Sequence, residues 1–271
     1  MQQNITNIKT NVNRSIGEIE LSAATNSIIT ACGSLGEKFE LLYERKMYSV
    51  IAQDIVSSSL NKLACSGAEL AGFSEYIKTD SKEVAEIIER EIASELKKYN
   101  CAEMSVKIEK GDNPSVCGFA LGVNPAVKSP VESGDIVVGL ASNGLHFNGY
   151  SHLDGLSEEE IFDALKPAYN YYSDVMNLYK NSKIKLGVNI TRGGIYNCIN
   201  KVLPKGLTAD LNLKHILEQP IFNRLKELNE ENFYTVFNAG IGFCLITDRA
   251  SNEIFFEDCQ KYDPIVLGVI E

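Results

Sequence analysis

No run of apolar residues in this chain approaches the length of a membrane span, which argues against a transmembrane protein. The opening MQQNITNIKTNVNRS is polar, rich in Asn and Thr, and lacks the apolar core of a signal peptide. Residues 1–16 therefore read as an arm. Positive charge is short: 26 Lys and Arg stand against 36 Asp and Glu, a formal net charge of −10. That balance argues against nucleic acid or an anionic membrane as partner, and leaves room for a local basic pocket around a phosphate. The seven cysteines (32, 65, 101, 117, 198, 244, 259) are odd in number and include no CxxC pair. Most sit in apolar runs, as small core residues of a reducing cytosol do, and the expected location is cytoplasmic. Internal repeats and low-complexity tracts are absent as well.

What is present is the composition of an ordinary globular protein. Of 271 residues, 44% are apolar and 23% charged, enough for two modest domains or one large one. Strands are predicted at Gly17–Ala23, Asn26–Ala31 and Lys38–Glu44, with a Gly-containing turn at Cys32–Glu37. Ile51, Ile55, Val56, Leu60 and Leu63 recur at helical spacing within Ser49–Ser66. A strand follows at Ala68–Ile77, a helix from Ser81 to about Tyr99, and strands at Met104–Glu109 and Val116–Val123. The stretch NPAVKSPVE, Asn124–Glu132, holds two of the seven prolines and breaks the periodicity. It places a domain boundary there, giving domains 1–125 and 126–271.

The second half centres on Ser133–Ser151. A turn at Ser133-Gly134-Asp135 feeds the apolar run Ile136–Ala141, a buried strand, which empties into two Asn-Gly pairs bracketing His146. By chemistry alone this is a polar loop offered to a ligand or a β-turn with a surface histidine. Further on, Ser157 and Glu160 form a capping-box pattern, and helices are predicted at Ala168–Lys180, Gly194–Val202, Gln219–Leu228 and Ala250–Cys259. Strands are predicted at Leu186–Ile190, Leu207–Leu211, Gly240–Thr247 and Ile265–Ile270. The class is α+β, or mixed α/β.

Several of these stretches together resemble the aminoimidazole ribonucleotide (AIR) synthase family, phosphoribosylformylglycinamidine cyclo-ligase. GDIVVGLASNGLHFNGYS is similar to the signature that opens that family's second domain, with His146, Asn148, Gly149, Tyr150 and Ser151 in place. In DIVSSSLNKLACSGAELAGFSEY, positions Asp54, Asn61, Gly67, Ala68, Glu69, Phe73 and Tyr76 are in register. Thr191, Gly193, Gly194 and Pro204 match a helix entrance, and FNAGIG at 237–242 matches Phe-Asn-Cys-Gly-Val-Gly. The resemblance runs from about Asn26 to Glu271 and implies a two-domain AIR-synthase-like fold: a small N-terminal sheet with helices, then a C-terminal α/β sandwich.

The same resemblance implies a homodimer formed on the N-terminal domain, ATP and Mg²⁺ as cofactors, and a small phosphorylated ligand held between the domains. It assigns His146 and Asn148 as catalytic, and Lys38, Asn61, Lys62, Thr191, Arg192 and Gly193 as cofactor-binding. Glu75 and Glu109 are the carboxylates left for a metal. The chain departs from the pattern at two acidic positions, which fall on Gly33 and Lys62, and in the Gly-Gly that precedes the family's Glu, here Lys107-Ile108. Two expectations follow: a diverged ligase whose Lys38, Lys62 and Arg192 meet phosphates directly, or a non-catalytic binding or scaffold relative. Lys62 is expected to pair with Glu109 or Glu75 in place of a metal.

Overall fold

The computed structural model describes residues 7–8, 19–20, 27–101, 103–181, 183–213, 219–249 and 257–271. The chain divides into two compact units, one ending at Ala126 and the other running from Val127 to Glu271.

In the first unit, β1 (Asn7–Ile8) pairs antiparallel with β2 (Ile19–Glu20). Then come β3 (Ile28–Gly33), α1 (Glu37–Glu44), α2 (Tyr48–Ala64), β4 (Glu69–Thr79), α3 (Lys82–Lys97), β5 (Glu103–Lys110) and β6 (Ser115–Val123). The described strands β3-β6-β4-β5 form one sheet, parallel only between β4 and β5. The strand expected at Lys38–Glu44 is helical. Phe39 and Leu42 recur three apart and are buried, and Glu37 and Glu40 sit in the first turn, where the helix dipole favours negative charge. Ser81 caps α3 as its sequence predicts, accepting from the Val84 N–H at 3.4 Å. One face of this sheet packs Ala31, Phe73, Ile77, Val106 and Ala120 into the core, while Ile28 and Phe119 on the other face are 42% and 46% exposed.

The second unit carries β7 (Ile136–Ala141), α4 (Glu158–Ala164), α5 (Tyr172–Lys180), β8 (Leu186–Asn189), α6 (Gly194–Val202), β9 (Ala209–Leu211), α7 (Pro220–Leu228), α8 (Phe233–Val236), β10 (Ile241–Thr247) and β11 (Ile265–Ile270). The described strands form an antiparallel sheet in the order β8-β10-β7-β11-β9. Every residue of β10 is buried, so both faces of the central strands are covered. The capping box at Ser157 and Glu160 forms on both sides. The helix expected from Ala168 starts at Tyr172, because Asn170 Oδ1 takes the Tyr172 N–H at 3.0 Å. The expected strand at Leu207 starts at Ala209, and α8 is an addition. Of the helix expected at 250–259, residues 250–256 lie outside the described residues and Glu257–Cys259 is a turn. The strand expected at Gly17–Ala23 is likewise described only at Ile19–Glu20.

Glu75 is a carboxylate that the first unit's core surrounds almost fully. It is 3% exposed and neither carboxyl oxygen has a hydrogen-bond partner among the described residues. Burial first, then the nearby charges of Glu103 and Glu89, push its pKa up to about 9. The native state thus holds a proton between pH 4.5 and about 9 that the unfolded chain releases, so stability falls as pH rises through that window. The slope from one such group is at most about 1.4 kcal/mol per pH unit. Glu75→Gln removes this component, and thermal unfolding of the variant followed from pH 5 to pH 9 is expected to decline less steeply than that of the parent chain. Equal slopes would show that Glu75 ionises normally.

Candidate functional site

β10 runs antiparallel to both β7 and β8, so the loops that leave β7 and β8 gather with the turn that enters β10 at one end of the sheet. These are residues 142–149, 190–193 and 237–240. β7 and β8 flank β10, which separates their ends by roughly 10 Å.

Asn238 ties this end together. Its Nδ2 donates to Gly144 O at 2.9 Å, and its Oδ1 accepts the Gly240 N–H at 3.0 Å. The Ser142 N–H donates to Gly240 O at 2.7 Å, and Gln219 Nε2 donates to Ser142 O. The β7 loop is therefore held at its root by both the β10 turn and the start of α7.

His146 lies inside this loop, not on the surface. It is 1% exposed, and its backbone takes φ +58°, a left-handed conformation that few residues other than Gly adopt, His, Asn and Asp more often than the rest. Asn143 Nδ2 donates to Pro167 O at 2.7 Å, which turns Asn143 Oδ1 toward the ring, and His146 Nε2 donates to that oxygen at 2.9 Å. The Tyr169 N–H, 3.4 Å from Nε2, is too long to displace the shorter bond. The imidazole is ringed by Phe147, Tyr169 and Tyr171 at centroid distances of 5.9, 6.2 and 6.1 Å. Beneath it, Gly242 has no side chain: a β-carbon there would stand 2.2 Å from Tyr171 Oη and 2.5 Å from His146 Cε1. Tyr171 Oη donates to Ala141 O at 2.7 Å, and burial raises its pKa well above the ordinary phenol value.

Asn148, two residues on, is half-buried, and its side chain makes no hydrogen bond among the described residues. In the β8 loop, Thr191 receives the Gly194 N–H on its carbonyl at 3.2 Å, and the Thr191 N–H lies 3.4 Å from Cys198 Sγ. Gly193 takes φ +106° and Gly194 φ +71°, where a β-carbon on Gly194 would meet Tyr234 O at 1.8 Å. This packing fixes the entrance of α6 and leaves Arg192 exposed, without an ion pair among the described residues. Of the residues expected to act, this sheet end therefore brings together His146, Asn148, Thr191, Arg192 and Gly193.

Lys38, Asn61 and Lys62 belong to the first unit, around α1 and α2. Lys38 is fully buried, with Nζ 2.6 Å from Asp54 Oδ2. Burial lowers its pKa and the Asp54 charge works against that. Asn61 is buried two turns further along α2 from Asp54, roughly 10 Å along the axis. Lys62 is exposed, and the pairing expected with Glu109 or Glu75 is not made: its Nζ donates to Cys32 O at 2.6 Å. Glu75 shares the buried face of β4 with Phe73 and Ile77. Glu109 is exposed and hydrogen-bonded by Tyr76, whose side chain leaves β4 on the opposite face. The two carboxylates thus point away from each other across one sheet. Among the described residues no group of three or more His, Cys, Asp or Glu is placed to hold a metal ion.

A family model described as AIR synthase related protein, C-terminal domain, matches residues 132–271. A phosphoribosylformylglycinamidine cyclo-ligase of Clostridium kluyveri is 31% identical over 277 residues, covering 90% of this chain and 81% of its own. The chain belongs to the AIR synthase related family. A cyclo-ligase of Alkaliphilus metalliredigens is 29% identical, with 83% of this chain and 74% of its own covered. Among solved structures, the hydrogenase maturation protein HypE of E. coli superposes with TM-score 0.70 at 14% identity, over 95% of this chain and 85% of its own. T. maritima PurL complexed with ATP gives TM-score 0.61 at 12% identity, over 90% of this chain; the chain spans 40% of PurL. These likenesses place the mixed α/β fold in the AIR-synthase-like group.

The acidic residue of the AIR synthase pattern falls on Gly33, where a β-carbon would stand 2.2 Å from Ser58 Oγ, 2.4 Å from Ser59 Oγ and 3.0 Å from the Ile55 carbonyl oxygen. This position faces α2, and any side chain there presses on that helix. The residues that sequence reasoning missed are the buried supports Asn143, Tyr171, Asn238 and Gly242. Asn143 and Asn238 both read as turn residues, and only their long-range bonds reveal the role. Gly242→Ala is expected to lower unfolding free energy by about 1–3 kcal/mol through overpacking. It should also shift the His146 ring resonances in two-dimensional NMR, whereas Gly206→Ala, where a β-carbon meets nothing within 4 Å, should leave them in place.

Proposed function

We propose that this AIR-synthase-like protein, of the purine-biosynthesis type, binds a small phosphorylated ligand at the loop end of its second unit without Mg²⁺-dependent ring closure. The observation that carries the reading is Gly33: the position that would hold a metal-binding carboxylate is closed by Ser58 and Ser59. The ammonium of Lys62 is turned onto a backbone carbonyl, and Glu75 and Glu109 occupy opposite faces of their sheet. Two carboxylates so placed do not make a Mg²⁺ site, which asks for near-octahedral oxygen ligands at about 2.0–2.1 Å. No step of the reading runs through the metal.

Arg192 supplies the exposed guanidinium for phosphate, with the N-terminal end of α6 behind it. Asn148 offers an amide that makes no bond within the described residues. His146 acts as a positioning residue: with its ring buried and bonded to Asn143, it shapes the loop that presents Asn148. Lys38, whose charge is met by Asp54, and Asn61 support the first unit from inside, and Thr191 and Gly193 set the entrance of α6. The cytoplasm fits cysteines that form no disulfide among the described residues.

A second reading, a non-catalytic homodimeric binding or scaffold module, is favoured by the face of the first sheet that leaves Ile28 and Phe119 in water. Its warrant is narrower than the sequence implied, since Phe39–Tyr43 is helical and adds no strand to that face. Light scattering is expected to give twice the 29.9 kDa chain mass, and Phe119→Glu is expected to shift it toward one.

Thermal-shift measurements with ATP, ADP and formylglycinamidine ribonucleotide, each with and without Mg²⁺, test the ligand. At about 100 times Kd a bound ligand stabilises by about 2.7 kcal/mol, a readable rise in Tm. The rise is expected without Mg²⁺ and is expected to vanish in Arg192→Ala. Mg²⁺-dependent cyclo-ligase turnover on the order of 1 s⁻¹ or faster would overturn the reading.

A further inference from the structure

A groove of about 450 Å³ runs between α4 and α7 in the second unit, away from the residues assigned above. Its walls are Glu159, Glu160, Phe162 and Asp163 on one side and Pro220 and Ile221 on the other. Phe162, a large aromatic ring, is 52% exposed here. Around it the charge is almost all negative. Lys166 is the lining cation, and it is engaged with Asp163. Glu160 spends part of its charge on the Ser157 N–H, at 2.7 Å, and lies 3.8 Å from Arg224 Nε. Glu159 is exposed, and the lining holds three carboxylates, Glu159, Glu160 and Asp163, against the one ammonium of Lys166.

We propose that this groove docks a short basic segment of a partner protein, one apolar side chain seated against Phe162 and a flanking Lys or Arg side chain meeting Glu159. An exposed aromatic in a concave apolar floor is the usual anchor of a protein interface, and a charged rim sets steering and register. Charge complementarity selects the occupant. A second copy of this chain carries the same −10 net charge and meets an acidic rim with repulsion. The groove's walls also hold the β7 loop: Asn143 donates to Pro167 O just past α4, Tyr150 Oη lies 2.7 Å from Ala164 O, and Gln219 at the start of α7 donates to Ser142 O. An occupant therefore bears on the two supports of the loop that carries His146 and Asn148.

The test uses a fluorescent synthetic peptide with lysines and arginines around a central leucine, titrated with the full chain by anisotropy at low and high salt. Binding is expected at low salt and is expected to weaken as salt rises. Phe162→Ala and Glu159→Lys should each weaken it about tenfold, as should replacing the peptide's leucine by serine. Glu86→Lys on α3 makes the same change of net charge elsewhere and should alter it by less than about twofold. No binding at low salt, or equal losses for Glu159→Lys and Glu86→Lys, overturns the proposal, the latter by reducing it to attraction toward an acidic protein. Light scattering closes the remaining route: if Phe162→Glu breaks a dimer into single chains, the groove's occupant is a second copy and the proposal fails.

Discussion

At Gly33 the backbone of β3 lies against α2 so closely that a β-carbon would stand 2.2 Å from Ser58 Oγ. At Gly242 the backbone of β10 lies under Tyr171 Oη and the His146 ring at like distances. Both units rest on the same device, a strand residue without a side chain that lets another element close down on it. The consequences differ. In the first unit the approach seats a helix: Ser59 Oγ donates to Ile55 O at 3.0 Å and lies 3.3 Å from Gly118 O, so the serines of α2 satisfy themselves locally while their small size permits contact. In the second unit the approach seats a polar ring, and the ring holds a loop. Native packing density leaves little slack at either point, so each glycine fixes what its neighbours may be.

That constraint joins fold to site. At position 33 a side chain and a helix as near as α2 compete for the same space, so what can stand there is a matter of packing as well as of charge. The charged groups that remain inside the first unit follow the same economy. Lys38 meets Asp54 at 2.6 Å, whereas Glu75, whose pKa burial pushes up to about 9, is held as the neutral acid. Neither arrangement offers a free carboxylate to a metal.

Much of the architecture was legible. Runs such as Ile136–Ala141 and Ile265–Ile270 announced strands because buried strands are continuously apolar, and the Ser81 and Ser157 caps announced helix starts through side-chain chemistry that acts within one turn. Lys38–Glu44 was misread because seven residues that open with a charge and mix Phe, Leu and Tyr fit either period until their burial is known. The start of α5 was misplaced for a related reason: Asn170 bonds two residues ahead, which periodicity does not register. The loops of the second unit were legible as motifs, and their resemblance to the AIR synthase pattern singled out Asn148 and Arg192 as candidates. What the motif did not convey was depth. His146 reads identically whether it faces a ligand or a core, and its burial is decided by Gly242 and Tyr171, which lie far from it in sequence.

Depth then reorders the roles within the site. A histidine serving as general acid or base needs a ring nitrogen within hydrogen-bond reach of a reacting group. His146 gives Nε2 to Asn143 Oδ1, and that amide is itself oriented by Pro167 O, so the ring belongs to a chain of bonds that ends in backbone. The left-handed φ of His146 and the left-handed φ of Ala239 on the facing turn bring backbone strain to both sides of the Asn238 bridge. Strain of that kind persists only where surrounding bonds over-determine it, and here four do: Asn238 to Gly144, Asn143 to Pro167, Ser142 to Gly240 and Gln219 to Ser142. A loop fixed so firmly at its root, with an unengaged amide at Asn148, is pre-organised to recognise something before any chemistry is asked of it.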